Sequence, residues 1–251
     1  MNRLLANPKF LAVYSGVLTV AFVLTVIFGT MRGAFSRRAA FDQITVHRIN
    51  IVEPDGVPRL ILSDKSEYPG SFYHGQEIAR PDRTDSAGML FMNDEGTENG
   101  GLLIGGYRGK DGSAHSWGHL SFDGYEQDQS LAIESEQNGG DRDVHYRIND
   151  NGPGPITPEA MNAFENVRKL PTNTAEERIA KEKAQTDVVA KYGLRGNPRA
   201  DLSRNSDHSV ALRLKDNAGH DRIVLRVAPD GKPSVEFFDD SGHAVRPWAE
   251  K

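Results

Sequence analysis

The chain contains no cysteine. That excludes disulfides, thiolate metal sites and cysteine nucleophiles, and it leaves the redox compartment open, because a cysteine-free chain survives in either environment. The short motifs of hydrolytic chemistry are also missing. There is no Gly-x-Ser-x-Gly, no Ser-x-x-Lys and no His-Glu-x-x-His. The one glycine-rich stretch, "MNDEGTENGGLLIGG" at residues 92–106, lacks the Gly-x4-Gly-Lys-Ser/Thr of a phosphate loop and the G-x-G-x-x-G of a dinucleotide site.

An excess of basic charge is absent too. Of 30 Lys and Arg, five lie in residues 1–38, where there is no acid; the rest of the chain therefore holds 25 basic against 35 acidic residues, a formal −10. A body this acidic does not track nucleic acid or an anionic lipid surface. No nucleic-acid partner and no cofactor is expected.

What is present begins with a charge-free run. "FLAVYSGVLTVAFVLTVIFGTM" carries no charge between Lys9 and Arg32. Its length, about 33 Å as a helix at ~1.5 Å per residue, matches a hydrocarbon core of ~30 Å. A signal peptide has a shorter apolar core and a small-x-small cleavage site, which "GTM" and "RGA" fit poorly. The run predicts a single-pass anchor at the cell membrane, with residues 1–38 as tail and anchor and 39–251 as the body. Lys and Arg counts on the two sides do not place the body outside; the short N-terminal tail favours an extracytoplasmic body.

The body reads as strands and tight turns. "INIVEPDGVPRLILSD" alternates Ile49, Ile51, Leu60 and Leu62 around Pro-Asp-Gly, a hairpin signal. Near the C-terminus, Val210, Leu212 and Leu214, then Ile223, Leu225 and Val227, then Val235 and Phe237 alternate onto one face, with Arg213, Arg222, Arg226 and Glu236 on the other. This predicts a meander with one buried face. "GVPRLIL" and "GHDRIVL" repeat Gly-x-x-Arg-aliphatic-x-Leu. The fold expected is mainly β, an antiparallel meander as a sandwich or open barrel. A small helical insertion is expected at 157–193: Thr157-Pro158 starts one helix, Pro171 breaks it, the capping box "TAEE" starts a second, and Gly193 stops it. Glu177 with Lys181, and Asp187 with Lys191, are spaced for i,i+4 pairs.

Three stretches are candidates for function. In 92–106 the EF-hand register fails, a looser calcium set of Asn93, Asp94, Glu95 and Glu98 remains open, and the plain reading is a turn followed by a short buried strand at 102–104 between glycine pairs. In "HSWGHLSFDGYEQD", His115 and His119 share a strand face and could hold zinc if Asp123 or Glu126 curled back, with His115, His119 and Asp123 the centre of a metal-assisted hydrolase; the alternative is a polar outer face with an aromatic. Residues 65–88 lack a period but hold Tyr68, Phe72, Tyr73, His74, Arg80 and Arg83, residue types enriched at binding hot spots. A ligand or partner site is expected there, for a protein partner or self-association; the alternative is that the aromatics fold back as a plug over the sheet.

The stretches "ITVHRINIVEPDG", "AGMLFMNDEGTENGGLLIGG" and "GHLSFDGYEQDQ" resemble a group of bacterial membrane-anchored or exported β-rich proteins to which no activity is attached. The resemblance implies a shared β-rich fold and carries no ligand or catalytic residue. The leading expectation is a non-enzymatic binding or structural module of the cell envelope.

Overall fold

A computed structural model describes residues 8–34, 39–194 and 196–245, with the side chains of the first helix as far as Ile27. The chain divides into two compact units, Met1–Thr45 and Val46–Lys251. In the first, α1 (Pro8–Ala34) contains a 20-residue apolar segment, Pro8–Ile27, long and apolar enough to cross a membrane.

The second unit is mainly β. Its strands are β1 (Arg48–Val52), β2 (Pro58–Ser63), β3 (Ser71–Tyr73), β4 (Gln76–Ile78), β5 (Ala87–Met92), β6 (Glu98–Arg108), β7 (Ala114–Asp123), β8 (Gln129–Asn138), β9 (Asp141–Asp150), β10 (Asn197–Arg204), β11 (Val210–Lys215), β12 (Asp221–Val227), β13 (Pro233–Phe238) and β14 (Ala244–Val245). Twelve of them form one antiparallel sheet in chain order, with β1 and β14 at its two edges; β3 and β4 pair apart from it. At a spacing of ~4.8 Å the sheet is roughly 50 Å wide.

Five-residue turns make the meander. In those starting at Glu53, Asn93, Gly109, Asn205, Asp216, Ala228 and Asp239, the fourth residue donates its N–H to the first carbonyl, and the first N–H returns to the fifth carbonyl. In these seven the fourth position has positive φ: it is glycine at 56, 96, 112, 219, 231 and 242, and histidine at 208; the turn starting at Gly124 makes the same two hydrogen bonds but carries its positive φ one residue earlier, at Glu126. Only glycine adopts that conformation without steric penalty. The repeated arginine has a repeated task. Arg59 bridges Glu53 of its own turn and Asp94 of a neighbouring one, at 3.1 and 2.6 Å; Arg222 bridges Asp216 and Asp240 in the same way, at 2.6 and 2.8 Å.

The strand expected at 102–104 is longer than the glycine pairs implied: β6 runs through both. These glycines serve close approach rather than termination. A Cβ on Gly100 would overlap the carbonyl of Ser121, and one on Gly105 would overlap the ring of Trp117. The indole thus lies over bare backbone, with Tyr107 packed against it edge-on.

The helical insertion forms as expected: α2 (Pro158–Arg168) is capped by Thr157, and α3 (Ala175–Tyr192) starts on the Thr174–Glu177 capping box and stops at left-handed Gly193. The ion pairs differ. Glu177 is engaged by the backbone N–H groups of Asn173 and Thr174, so Lys181 turns to the carbonyls of Arg168 and Leu170; Asp187 pairs with Lys183.

The register sorts the side chains into two faces. One row crosses eleven strands without interruption: Ile49, Leu62, Met89, Leu102, Leu120, Ile133, Tyr146, Leu202, Leu212, Leu225 and Val235. Every member is apolar. The opposite face carries Ile61 and Leu90 and then becomes polar, with Ser121, Arg147, Asp201 and Arg213 along one register row. The expectation of a buried apolar face is corrected here. From β8 onward the larger side chains of the apolar row are mostly exposed, Tyr146 at 41% and Leu202 at 49%, while on the opposite face Ala132, Ala211 and Val224 are buried together with Asp201 and Ser203, which are only 9% and 2% exposed. The cover lies on that opposite face: Phe72 of the β3–β4 hairpin packs on Ile61 and Leu90, and Met161 of α2 stands over the same side at Leu90 and Ser121.

Candidate binding cavity

Residues 65–88 are folded. They form the β3–β4 hairpin and a single 3-10 turn, Pro81–Arg83. Phe72, only 5% exposed, packs with Ile61, Leu90 and Met92, and Tyr68 packs against this cluster. The Tyr68 hydroxyl is buried without a hydrogen-bond partner, and burial pushes its pKa up to about 12. Two of the expected contact residues therefore close the small core. Beside them lies a cavity of about 340 Å³. Phe72, Arg80 and Arg83 line it from this segment, Glu98, His119, Ser121 and Asp123 from β6 and β7, Glu126 and Asp128 from the next turn, and Met161 from α2.

Most charges in the wall are neutralised in place. Arg83 grips Glu98 with two hydrogen bonds, 2.6 and 3.1 Å, and donates a third to the Gly70 carbonyl. Such a forked pair is the stronger kind of ion pair. Arg80 forks onto Asp82 at 2.7 and 2.9 Å and donates to the Ser71 hydroxyl. Arg168 of α2 reaches Asp82 at 3.1 Å, tying helix to loop. Asp123 is different. Its Oδ1 is buried with no hydrogen-bond partner. Burial, reinforced by the charges of Glu98 and Asp128, raises its pKa to about 7, against the opposing pull of Ser121 and Arg83. A carboxyl that exchanges its proton near neutrality therefore faces the cavity.

At the same end of the sheet, His74, Glu95 and Glu126 bring three ligand atoms within 4.8 Å of one another. They come from three turns. His74 Nε2 is 2.6 Å from Glu126, Tyr73 Oη is 3.5 Å from the same carboxylate, and Tyr125 hydrogen-bonds Glu95. Glu126 also lines the cavity, so the cluster stands at its margin.

The calcium set open in the sequence is dispersed: Asn93 caps its own turn, Asp94 pairs with Arg59, Glu98 with Arg83, and only Glu95 joins a cluster. His115, His119 and Asp123 stand in a row along β7 rather than around a point. Four strand positions separate each from the next, roughly 13 Å at ~3.3 Å per residue. His115 Nε2 contacts the Ser113 hydroxyl at 2.7 Å and its ring stacks on Tyr107; His119 faces Glu134 at 3.3 Å. From there a polar ladder crosses the sheet through Glu134, Arg147, Asp201 and His145. Burial works to raise the Asp201 pKa, but hydrogen bonds from His145 and Ser203 outweigh it and hold the carboxyl below its usual range.

Sequence reasoning brought Phe72, Arg80, Arg83, His119 and Asp123 forward, and all five line one cavity. Glu98 figures in the sequence only as a calcium candidate and Glu126 only as an alternative zinc ligand, while Asp128 reads as a plain turn acid. The available signal was their position: Glu98 opens β6, and Glu126 and Asp128 lie in the turn between β7 and β8. No protein-family model, curated protein or solved structure matches the chain.

Proposed function

We propose that this chain is a single-pass membrane protein of the bacterial cell envelope whose extracytoplasmic body is a non-enzymatic binding module. Its cavity receives a small cationic hydrogen-bond donor, an amine or a guanidinium, free or carried on a peptide. One observation carries the reading: the buried, unpartnered Oδ1 of Asp123 in a wall where the arginines are already paired. A buried acceptor left open is costly, and a donor arriving from the cavity relieves that cost. A cation also draws the proton off Asp123, so binding releases a proton at and below about pH 7, and affinity rises with pH through that range and levels off above it. The apolar helix of the first unit supports the membrane part of the reading.

The test is calorimetric titration of the full chain in detergent with agmatine and with spermidine, at pH 6 and pH 8. Binding tighter at pH 8 and lost in Asp123→Asn supports the site. Absence of binding by both probes, or equal binding by the variant, overturns it.

A second reading, metal-assisted hydrolysis, is favoured by the convergence of His74, Glu95 and Glu126. Imidazole with two carboxylates suits zinc with an open position for water. Stoichiometric zinc in the purified chain, lost in His74→Ala, supports it; a chain that takes up no zinc from buffer containing it overturns it.

A further inference from the structure

We infer that the open apolar face of the sheet is the contact between two copies of this chain, packed face to face as the two layers of a sandwich. The exposure pattern is inside out across half the sheet, and soluble surfaces rarely leave a continuous apolar patch of this extent uncovered. Within the body no described helix or loop lies over it; the hairpin and α2 occupy the other face. Fifteen apolar side chains on this face are exposed. At ~100 Å² of apolar surface each, a little under half of it open, they leave on the order of 700 Å² per copy. Stable interfaces take roughly 600–1,000 Å² from each partner, so this apolar area falls within the range of one such contact.

The occupant is fixed by chemistry. The row through Ile133, Tyr146, Leu202 and Leu225 offers no charge to pair, so the partner surface must itself be broad and apolar. The same face of a second copy meets that description, and a two-fold axis makes it self-complementary. Antiparallel sheets stack in this way about 10 Å apart. An anchor helix on every copy would hold the bodies in one plane and raise their effective concentration. A lipid surface is the poorer occupant: an open sheet laid into hydrocarbon would carry the unpaired backbone groups of β1 and β14 with it.

The cysteine-free chain makes the test clean. Tyr146→Cys, Leu202→Cys and Leu225→Cys are made one at a time in the full chain, reconstituted in liposomes and treated with a short bis-maleimide. Glu136→Cys, on the other face, is the control. Dimers of about 55 kDa, at least five-fold more abundant from one of the three than from the control, are expected. Adding Leu212→Glu should abolish them while the circular dichroism spectrum stays unchanged. Equal yields on the two faces would overturn the proposal. So would quenching by brominated lipid of a fluorophore coupled to the thiol of the Leu202→Cys variant, which would put lipid on the face instead. If Leu212→Glu disturbs the fold, dilution of the reconstituted chain in excess lipid replaces it: yields that stay constant per molecule support a stable pair, and yields at the control level refute it.

Discussion

His74 and Glu126 share a 2.6 Å contact and a conformation: both hold the left-handed backbone, at φ 48° and 51°. Non-glycine residues adopt it at a cost of about 1 kcal/mol or more, and neighbouring structure must hold them there. For His74 the holding contacts are the Glu126 bond and its own N–H to Thr97 Oγ1. Removing the side chain and relieving the strain are separable. His74→Ala keeps the strain and loses the bond, whereas His74→Gly loses both. The glycine variant should be more stable than the alanine variant by about 1 kcal/mol, read by chemical denaturation. Equal stabilities would show that the turn relaxes without the imidazole.

Asp123 makes stability depend on pH with a definite sign. Its folded pKa is raised from 3.8 to about 7, so ionisation opposes folding. Below about pH 4 the group is protonated in both states and costs nothing. The penalty grows as pH rises from there and is complete above 7, on the order of 4 kcal/mol for a shift of about three units. Asp123→Asn removes it. The variant should match the parent at pH 4 and exceed it at pH 8 by a margin that grows between those limits. Parallel stability curves would show that the carboxyl is not the titrating group.

Phe72 and Tyr73 are adjacent on β3 but meet different surroundings. Phe72 packs with Ile61, Leu90 and Met92, while Tyr73 turns toward Glu126. Phe72→Ala should destabilise by about 3–5 kcal/mol, as large-to-small core changes do, and Tyr73→Ala by less than about 1 kcal/mol. Thermal unfolding distinguishes them, and comparable losses would mean that the tyrosine ring also supports the core.

Much of this architecture was legible from local rules, because each turn carries its own chemistry. Pro-Asp-Gly at 54–56 and Asp-Gly at 230–231 specify positive φ, and Thr174 with Glu177 specifies a helix start. What the pattern could not give was which face is covered. Val210, Leu212 and Leu214 do share a side, as alternation required, but alternation says only that two faces differ. Covering is decided by where the segments at 65–88 and 157–193 return, and that is a long-range choice. The cavity was half legible for the same reason: Arg80 and Arg83 stand out in a loop, whereas Glu98 becomes a site residue only when β6 brings it to Arg83.

The turns hold a natural comparison that ranks three substitutions. Of the seven turns whose fourth residue is left-handed, six place glycine there and the seventh places His208 there at φ 71°. The imidazole has some compensation, a 2.8 Å hydrogen bond from the Arg204 guanidinium to Nδ1. That contact is exposed and so is worth little against the backbone penalty. His208→Gly should therefore stabilise the body by up to about 1 kcal/mol. The reverse change should cost a similar amount where there is room. Gly231 has open space around an added Cβ, so Gly231→Ala bears the backbone penalty alone, about 1 kcal/mol. Gly96 is left-handed too but crowded: an added Cβ would stand 2.9 Å from the backbone of Gly75 and 3.0 Å from Val57. The Gly96 carbonyl also accepts the Gly75 N–H, so a shift there disturbs the hairpin that covers the core. Gly96→Ala should exceed Gly231→Ala by about 1 kcal/mol or more, and urea denaturation of the three variants orders them. If Gly96→Ala and Gly231→Ala cost the same, the contact between the Gly96 turn and the β3–β4 hairpin is not tight, and the hairpin covers the core more loosely than its hydrogen bonds imply.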